Sequence, residues 1–270
     1  MRVVKVSGHQ LDDKAFLAGF CRAVATFAKN EPVVVVNGGG KSIKALQGAF
    51  DIPEKKVQGL RVTDEKSLWI TEMVMSAGVN KLLVRTLRQA GLDAFGVSGV
   101  DGGLLTARKK VLSSQVEPEG EPVSKEQLDL IDEQFDLGFV GEVVGVRTDL
   151  VHKLLDLGLT PVISPVSCDA AGQHYNINAD EAATAIAQAL PADQLDFVSN
   201  VPGVLRDLSD DRVIESLTPH EVEALIEDGT VSGGMLPKVK AAVDALEKGV
   251  KRVRIVDMDG MESGGTVFNL

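Results

Sequence analysis

The stretch that most constrains the fold is V-V-V-V-N-G-G-G at residues 33–40. Its four consecutive β-branched residues predict a strand buried on both faces, as at the centre of a parallel sheet. Three glycines end that strand, and apolar residues at helical spacing follow from Lys41 to Phe50. Such a turn leaves backbone N–H groups at the positive end of a helix dipole, which suits an anion. We therefore predict an anion or carboxylate site here, the alternative being a tight turn without a ligand.

The same alternation of strands and helices continues along the chain. Short apolar runs predict strands at residues 2–6, 33–36, 94–98, 104–111, 160–165, 195–200, 252–256 and 266–268. Apolar residues at helical spacing predict helices at residues 13–30, 41–50, 64–89, 148–158, 178–190, 218–229 and 233–248. The β-α-β-α opening indicates a mostly parallel open sheet with right-handed crossovers.

Capping residues and turns refine this outline. Asp12 or Asp13 is predicted to cap the first helix, Thr63 the helix at 64–89 with an interruption near Gly78, and Thr148 the helix at 148–158. Glycines and prolines predict turns at 113–123, a strand or hairpin at 135–146, and a surface hairpin at 167–175.

The composition excludes several classes of partner. The net charge of −11 and the pI near 4.9 argue against nucleic acids and membrane surfaces, because both are anionic. The binding of a small anionic ligand depends on the charges close to its site and not on the net charge of the chain, so an acidic chain can still bind one. Met1 is followed by a short strand and not by a signal region, and no 18-residue apolar run occurs, which indicates a cytoplasmic protein.

Cysteine, histidine and the larger apolar side chains indicate no metal or cofactor site. Cys21 and Cys168 are predicted to be free, buried or half-buried thiols, because a disulfide framework or metal site needs more or closer partners. The histidines lack mutual metal-ligand spacing: His9, His152, His174 and His220. Trp69, Met73 and Met75 are interpreted as core or dimer contacts.

Three glycine-containing turns follow predicted strands: Ser7-Gly8, Gly38–Gly40 and Pro202-Gly203. Ligands of open α/β sheets bind at the carboxyl ends of the strands, so these turns should meet around one extended or polyanionic substrate. The chain contains no G-x-x-x-x-G-K-[ST] motif, and no G-x-G-x-x-G follows a strand. The P-loop and dinucleotide-binding interpretations are therefore excluded.

A series of six strings carries a more specific signal: K-V-S-G at 5–8, N-G-G-G at 37–40, G-L-R-V-T-D at 59–64, Y-N-I-N-A-D-E-A-A at 175–183, N-V-P-G-V-L at 200–205 and S-G-G-M-L-P-K at 232–238. In this order they resemble the amino acid kinase family over nearly the whole chain, and within it the enzymes that act on N-acetyl-L-glutamate. The resemblance implies an α/β/α sandwich around a mostly parallel open sheet. It also implies one continuous fold of two lobes, residues 1–166 for the acyl amino acid and dimerisation and residues 167–270 for ATP.

The implied reaction transfers the γ-phosphoryl group of ATP to the γ-carboxylate of N-acetyl-L-glutamate, the second step of arginine biosynthesis. By resemblance, Lys5 and Lys238 lie across the phosphoryl group from opposite lobes, and Asp180 holds both lysines in place. Without the resemblance, each lysine is simply a solvated surface residue and Asp180 a partner of the helix dipole. A base is not required, because the attacking carboxylate is already ionised at neutral pH.

The resemblance also assigns the binding residues. Arg61 is the bidentate clamp on the α-carboxylate, Asn176 bonds the same end, and Gly38, Gly39 and Gly40 receive the reacting carboxylate. The nucleotide is assigned to Gly8, Asn200, Val201, Pro202, Gly203, Val204, Leu205, Thr230, Val231 and Ser232. Mg²⁺ accompanies ATP, held mainly by phosphates and water and not by a protein metal site.

Some positions depart from the family pattern. Ser7 replaces a common glycine, and Asn37 replaces the usual histidine before the three glycines. No helix precedes Arg2, whereas arginine-inhibited hexameric relatives carry one, so we predict a homodimer that arginine does not inhibit. Asn200, where relatives often have Asp, leaves open a kinase for acetylated or carrier-linked 2-aminoadipate in lysine biosynthesis. A non-catalytic amino-acid-binding regulator is a further alternative.

Overall fold

A computed structural model of the chain describes residues 1–8, 10–57, 60–111, 136–207 and 210–270. The predicted turns at 113–123 lie outside the described residues, as do His9, Gly59 and Phe135. Within the described ranges, no helix is both long and apolar enough to cross a membrane.

An eight-stranded sheet forms the centre of the molecule, with the order β14-β16-β15-β11-β1-β2-β8-β5. Its strands are β1 Arg2–Val6, β2 Val33–Asn37, β5 Ala94–Ser98, β8 Thr160–Ser164, β11 Gln194–Val198, β14 Ser216–Leu217, β15 Val253–Val256 and β16 Thr266–Phe268. Every neighbouring pair is parallel except β15 and β16. All five residues of β2 are buried, as the run of β-branched residues predicts.

Helices cover both faces of this sheet. The α-helices of the described residues are α1 Lys14–Ala28, α2 Gly40–Ala49, α3 Glu65–Glu72, α4 Asn80–Gln89, α5 Thr148–Asp156, α6 Ala179–Ala189, α7 Pro219–Glu227 and α8 Leu236–Glu247. Alternate residues of one strand enter different cores: Val3 packs in the core with α6 and α8, and Val4 packs in the core with α1 and α4. The predicted α/β/α sandwich around a mostly parallel sheet is therefore confirmed.

The remaining strands form three smaller units. A closed ring consists of β6 Leu105–Lys109, β7 Val140–Val146, β9 Val166–Cys168 and β10 His174–Ile177. Two separate hairpins consist of β3 Lys56–Val57 with β4 Leu60–Arg61 and of β12 Leu205–Asp207 with β13 Asp210–Val213. The predicted hairpin at 167–175 is confirmed, since β9 pairs antiparallel with β10 and Gly172 between them has φ 84°.

Two of the predicted caps are wrong. Asp64 and not Thr63 caps α3, because the Asp64 carboxylate accepts from the Ser67 N–H at 2.7 Å while the Thr63 hydroxyl accepts from Asn176. Arg147 occupies the cap position of α5, so Thr148 is its first helical residue and caps nothing. Asp13 caps α1 as expected, accepting from two N–H groups of the first turn.

The interruption predicted near Gly78 is a π-helix, Met73–Val79, that joins α3 to α4 without a break in the helical path. The Met75 carbonyl there accepts from the Asn37 amide at 3.2 Å, and Asn80 donates to the Asn37 amide oxygen at 3.1 Å. Met75 is buried in the core, but Trp69 is 60% exposed, so the core interpretation is wrong for Trp69 and its dimer contact stays a prediction. Cys21 and Cys168 are free, buried and half-buried respectively, as expected.

A buried ion pair ties the sheet to the segment before β16. Arg254 (2% exposed) donates through Nε to Asp196 Oδ1 at 2.8 Å, and its other nitrogens donate to the Met261 and Gly264 carbonyls. Asp196 has no exposed surface. The Arg254 side chain therefore satisfies one buried charge and two backbone carbonyls at once.

We expect Arg254→Met to lower the free energy of unfolding by about 3 kcal/mol, because it removes one of the two arginines paired with the buried Asp196 carboxylate, leaving Arg2, and unpairs the Met261 and Gly264 carbonyls. Urea denaturation measures this. Lys248→Met is the matched control, since Lys248 forms an exposed pair with Asp244 on α8 and such pairs contribute only about 0.3–0.5 kcal/mol. Equal losses in the two variants would contradict the assignment.

Candidate active site

The centre of the site is a contact between the middle of the sheet and the start of α6. Lys5 lies on β1 and is 5% exposed, and its Nζ is 2.6 Å from Asp180 Oδ1 in the first turn of α6. Lys238, in the first turn of α8, lines the same cavity of ≈ 290 Å³. The three predicted catalytic side chains are therefore brought together from distant parts of the chain.

The electrostatics of the three groups are coupled. Burial by itself raises the pKa of the Asp180 carboxyl, but the Lys5 and Lys238 ammonium groups outweigh it and hold that pKa below its ordinary value. Burial and the nearby Lys5 charge lower the pKa of Lys238, and Asp180 opposes this shift. Asp180 is thus an anion at neutral pH, and its charge favours the ammonium form of Lys238.

The glycine turns after β1 and β2 form one wall of the cavity. They are in backbone contact, since a Cβ placed on Gly8 would lie 2.7 Å from the Gly39 Cα. The Gly38 N–H donates to the Val6 carbonyl at 3.0 Å, so Gly38 supplies no amide to a ligand. Within the described residues, no group accepts from the N–H of Gly39 or Gly40, and α2 has no side-chain cap. These amides and the helix dipole can bind an oxyanion.

Arg61 and Asn176 line the same cavity. Arg61 Nη2 lies 2.8 Å from Glu54 Oε1 and donates to the Gly40 carbonyl at 3.4 Å, while Nη1 donates to Gln47. Burial lowers the pKa of Arg61, and the Glu54 charge opposes that shift. The Asn176 amide donates to the Thr63 hydroxyl at 3.1 Å. A guanidinium has five N–H donors, so these contacts leave Arg61 able to bind a further carboxylate.

A second cavity of ≈ 350 Å³ adjoins the first through Lys238, which lines both. It contains most of the residues predicted to bind nucleotide: Asn200, Val201, Gly203, Val204, Leu205, Thr230, Val231 and Ser232. Gly8 instead lines the first cavity, and Pro202 lines a separate one beside Val213 and Gly264. The Thr266 hydroxyl accepts from the Val204 N–H at 2.8 Å and so anchors the 200–205 turn.

The sequence pattern gave no signal for several residues that line or support the first cavity. Ile43, Met75 and Val140 supply apolar surface there, and Gln47 and Glu54 contact Arg61 from behind. A Cβ on Gly39 would lie 2.8 Å from the Met75 sulfur, so the glycine allows this methionine to reach the cavity wall.

The balance of charge suits anionic ligands. Of the described residues that line the first cavity, three are cationic (Lys5, Arg61 and Lys238) and only Asp180 is anionic. This local excess contrasts with the net charge of −11 for the chain. Among those described residues, no three His, Cys, Asp or Glu side chains are grouped to hold a metal ion. Phosphate groups fit the cations and bare amides better than a metal ion does.

Comparison with known proteins agrees with this geometry. The profile described as "Amino acid kinase family" matches residues 1–257. An acetylglutamate kinase of Roseiflexus castenholzii is 44% identical over 267 residues, covering 98% of this chain and 93% of that protein. An acetylglutamate kinase of Chloroflexus aurantiacus is 45% identical over 267 residues, covering 98% and 95%.

Solved structures extend the similarity to the whole fold. The crystal structure of smu.665 from Streptococcus mutans UA159 superposes with a TM-score of 0.77 at 27% identity, covering 99% of this chain and 98% of that one.

Proposed function

Because the chain belongs to the amino acid kinase family, we propose that it transfers the γ-phosphoryl group of ATP to the γ-carboxylate of N-acetyl-L-glutamate. The relatives named acetylglutamate kinase support this acceptor, and the enzyme name places the reaction in arginine biosynthesis. The observation that carries the proposal is that Arg61, Lys5, Asp180 and Lys238 line one cavity. Its three cations match the two carboxylates of the acceptor and the transferred phosphoryl group.

In this proposal Arg61 binds the α-carboxylate and Asn176 bonds the same end of the acceptor. The N–H groups of Gly39 and Gly40 bind the reacting carboxylate at the start of α2, where the helix dipole favours an anion. The γ-carboxylate then faces Lys238, which lines both the first and the second cavity. Holding the two reactants in line in this way contributes to the rate by itself.

The nucleotide lies in the second cavity, against the turn at 200–205 and residues 230–232, with its terminal phosphate directed at Lys238. Negative charge spreads over the moving phosphoryl oxygens in the transition state. Lys5 and Lys238 approach that charge from two sides, and Asp180 keeps both in position. Mg²⁺ bound to the ATP phosphates neutralises part of their charge. The carboxylate attacks without losing a proton, so no residue is assigned as a base.

We also propose that residues 1–166 supply most of the acceptor site, with Asn176 added from residues 167–270, that residues 167–270 hold the nucleotide, and that the protein is a cytoplasmic homodimer. The exposed Trp69 on α3 supports a second copy there, because large aromatic side chains are enriched at interfaces. Sedimentation of a monomer at micromolar concentration would contradict the dimer.

An acceptor comparison tests the function. Hydroxylamine converts an acyl phosphate to a hydroxamate, and a coupled assay follows ADP, so both products are measured together. We expect N-acetyl-L-glutamate to give stoichiometric ADP and hydroxamate, with N-acetyl-2-aminoadipate and L-aspartate much poorer as acceptors. A preference for aminoadipate would identify the longer substrate, and no turnover with any acceptor would favour a regulator.

A further inference from the structure

Gln47 is a buried polar side chain that lies behind Arg61 and does not line the cavity. It is 1% exposed on α2, and its amide oxygen accepts from Arg61 Nη1 at 2.5 Å. Its amide nitrogen donates to the Ser67 hydroxyl at 2.8 Å. The Gln47 amide thus links the second turn of α2 to the first turn of α3 and to the hairpin that carries Arg61.

The orientation of this amide follows from its neighbours. A guanidinium has only donors, so the Gln47 oxygen must face Arg61 and the nitrogen must face Ser67. The Ser67 N–H is itself held by the Asp64 cap of α3 at 2.7 Å. The amide therefore has a fixed position from which to accept the Arg61 hydrogen bond.

Two backbone contacts hold the segment around Arg61: a short hairpin, and the hydrogen bonds of Thr63 with Leu137 and Phe139. Arg61 belongs to β4, a two-residue strand that pairs, within the described residues, with the two-residue β3 and lies outside the main sheet. A hairpin of this size is marginally stable by itself. The guanidinium position thus depends on Gln47, Glu54 and the Gly40 carbonyl.

We propose that Gln47 is a positioning residue that directs the Arg61 guanidinium toward the α-carboxylate of the acceptor; this inference rests on the proposed function. Gln47 acts through Arg61 and touches neither substrate. It contacts Arg61 and lines neither cavity, so it should affect acceptor binding and not nucleotide binding or the chemical step.

The test is steady-state kinetics of Gln47→Met, which keeps the side-chain volume and removes both hydrogen bonds. We expect the KM for N-acetyl-L-glutamate to rise about tenfold, because a hydrogen bond to a charged group contributes roughly that factor. The KM for ATP and the kcat should stay within about twofold of the wild-type values, because a variant that loses only acceptor binding changes only the acceptor KM. Ser67→Ala should raise the acceptor KM about threefold, since only the amide orientation is lost. The double variant should resemble Gln47→Met, because both changes act on one hydrogen bond.

Gln194→Met is the matched control. Gln194 is another buried glutamine, bonded to Asp196 at 2.7 Å at the amino end of β11, outside the cavities described above. It should lower stability and leave both KM values unchanged.

An unchanged acceptor KM in folded Gln47→Met would overturn the inference, as would equal rises in both KM values. If Gln47→Met does not fold, an unchanged acceptor KM in Ser67→Ala overturns it instead. A wild-type protein that does not phosphorylate N-acetyl-L-glutamate would overturn the proposed function itself. The wild-type kinetics therefore test the function, and the variant kinetics test the role of Gln47.

Discussion

Replacing either Lys5 or Lys238 with methionine should lower kcat by about 10²–10³-fold, the effect of removing one preorganised donor to a developing oxyanion. Methionine keeps the aliphatic stem of each lysine, so the change removes charge and little packing. The KM values should change far less than kcat, because the charge on the phosphoryl oxygens grows in the transition state. Initial rates at saturating ATP and N-acetyl-L-glutamate measure this.

The control for these variants is Lys240→Met, an exposed lysine on the same helix as Lys238. It should keep the wild-type rate. Near-native turnover in both Lys5→Met and Lys238→Met, with the fold intact, would contradict their assigned role.

Asp180→Asn should lower kcat by about 10²-fold, because an ionic hydrogen-bonded partner contributes about 1.5–3 kcal/mol. It should also move the alkaline limb of the pH–rate profile to lower pH. In the wild type, burial and the Lys5 charge already lower the pKa of Lys238, and Asp180 opposes that shift. Without the carboxylate the ammonium form is less favoured, so the lysine loses its proton, and activity is lost, at a lower pH.

Glu181→Gln is the control for this prediction. Glu181 is the next residue of α6, and it pairs with Lys110 at 2.7 Å outside the two cavities. The pH–rate profile of Glu181→Gln should match that of the wild-type protein. An alkaline limb that does not move in Asp180→Asn would show that Asp180 does not maintain the charge of Lys238.

The sequence predicted those parts of the site that depend on backbone conformation. The run at 33–40 gave a buried strand, a glycine turn and a helix start, and the structure has β2, the turn and α2 at these residues. The topology followed from the same patterns, because strands followed by amphipathic helices form parallel sheets whose carboxyl ends share an edge. Lys5, Asp180 and Lys238 were named by family resemblance, since each of them by itself looks like an ordinary helix or surface residue.

The parts that were not predicted depend on contacts between distant segments. Thr63 and Asp64 are both N-cap residues by type, with Asp the better of the two. In the structure the Asn176 amide also binds the Thr63 hydroxyl, which leaves Asp64 as the cap. The π-helix at Met73–Val79 accompanies a hydrogen bond from Asn37. Gln47 reads as a polar residue of an amphipathic helix, and only its contact with Arg61 distinguishes it.

The most direct measurement of the central claim is a crystal structure with a non-hydrolysable ATP analogue and N-acetyl-L-glutamate bound together. We predict that the Nζ atoms of Lys5 and Lys238 both lie about 3 Å from oxygens of the terminal phosphate. The acceptor γ-carboxylate should face that phosphate from the Gly39–Gly40 turn. A complex in which the two ammonium groups contact different ligands, or in which the phosphate lies away from Lys5, would contradict the proposal.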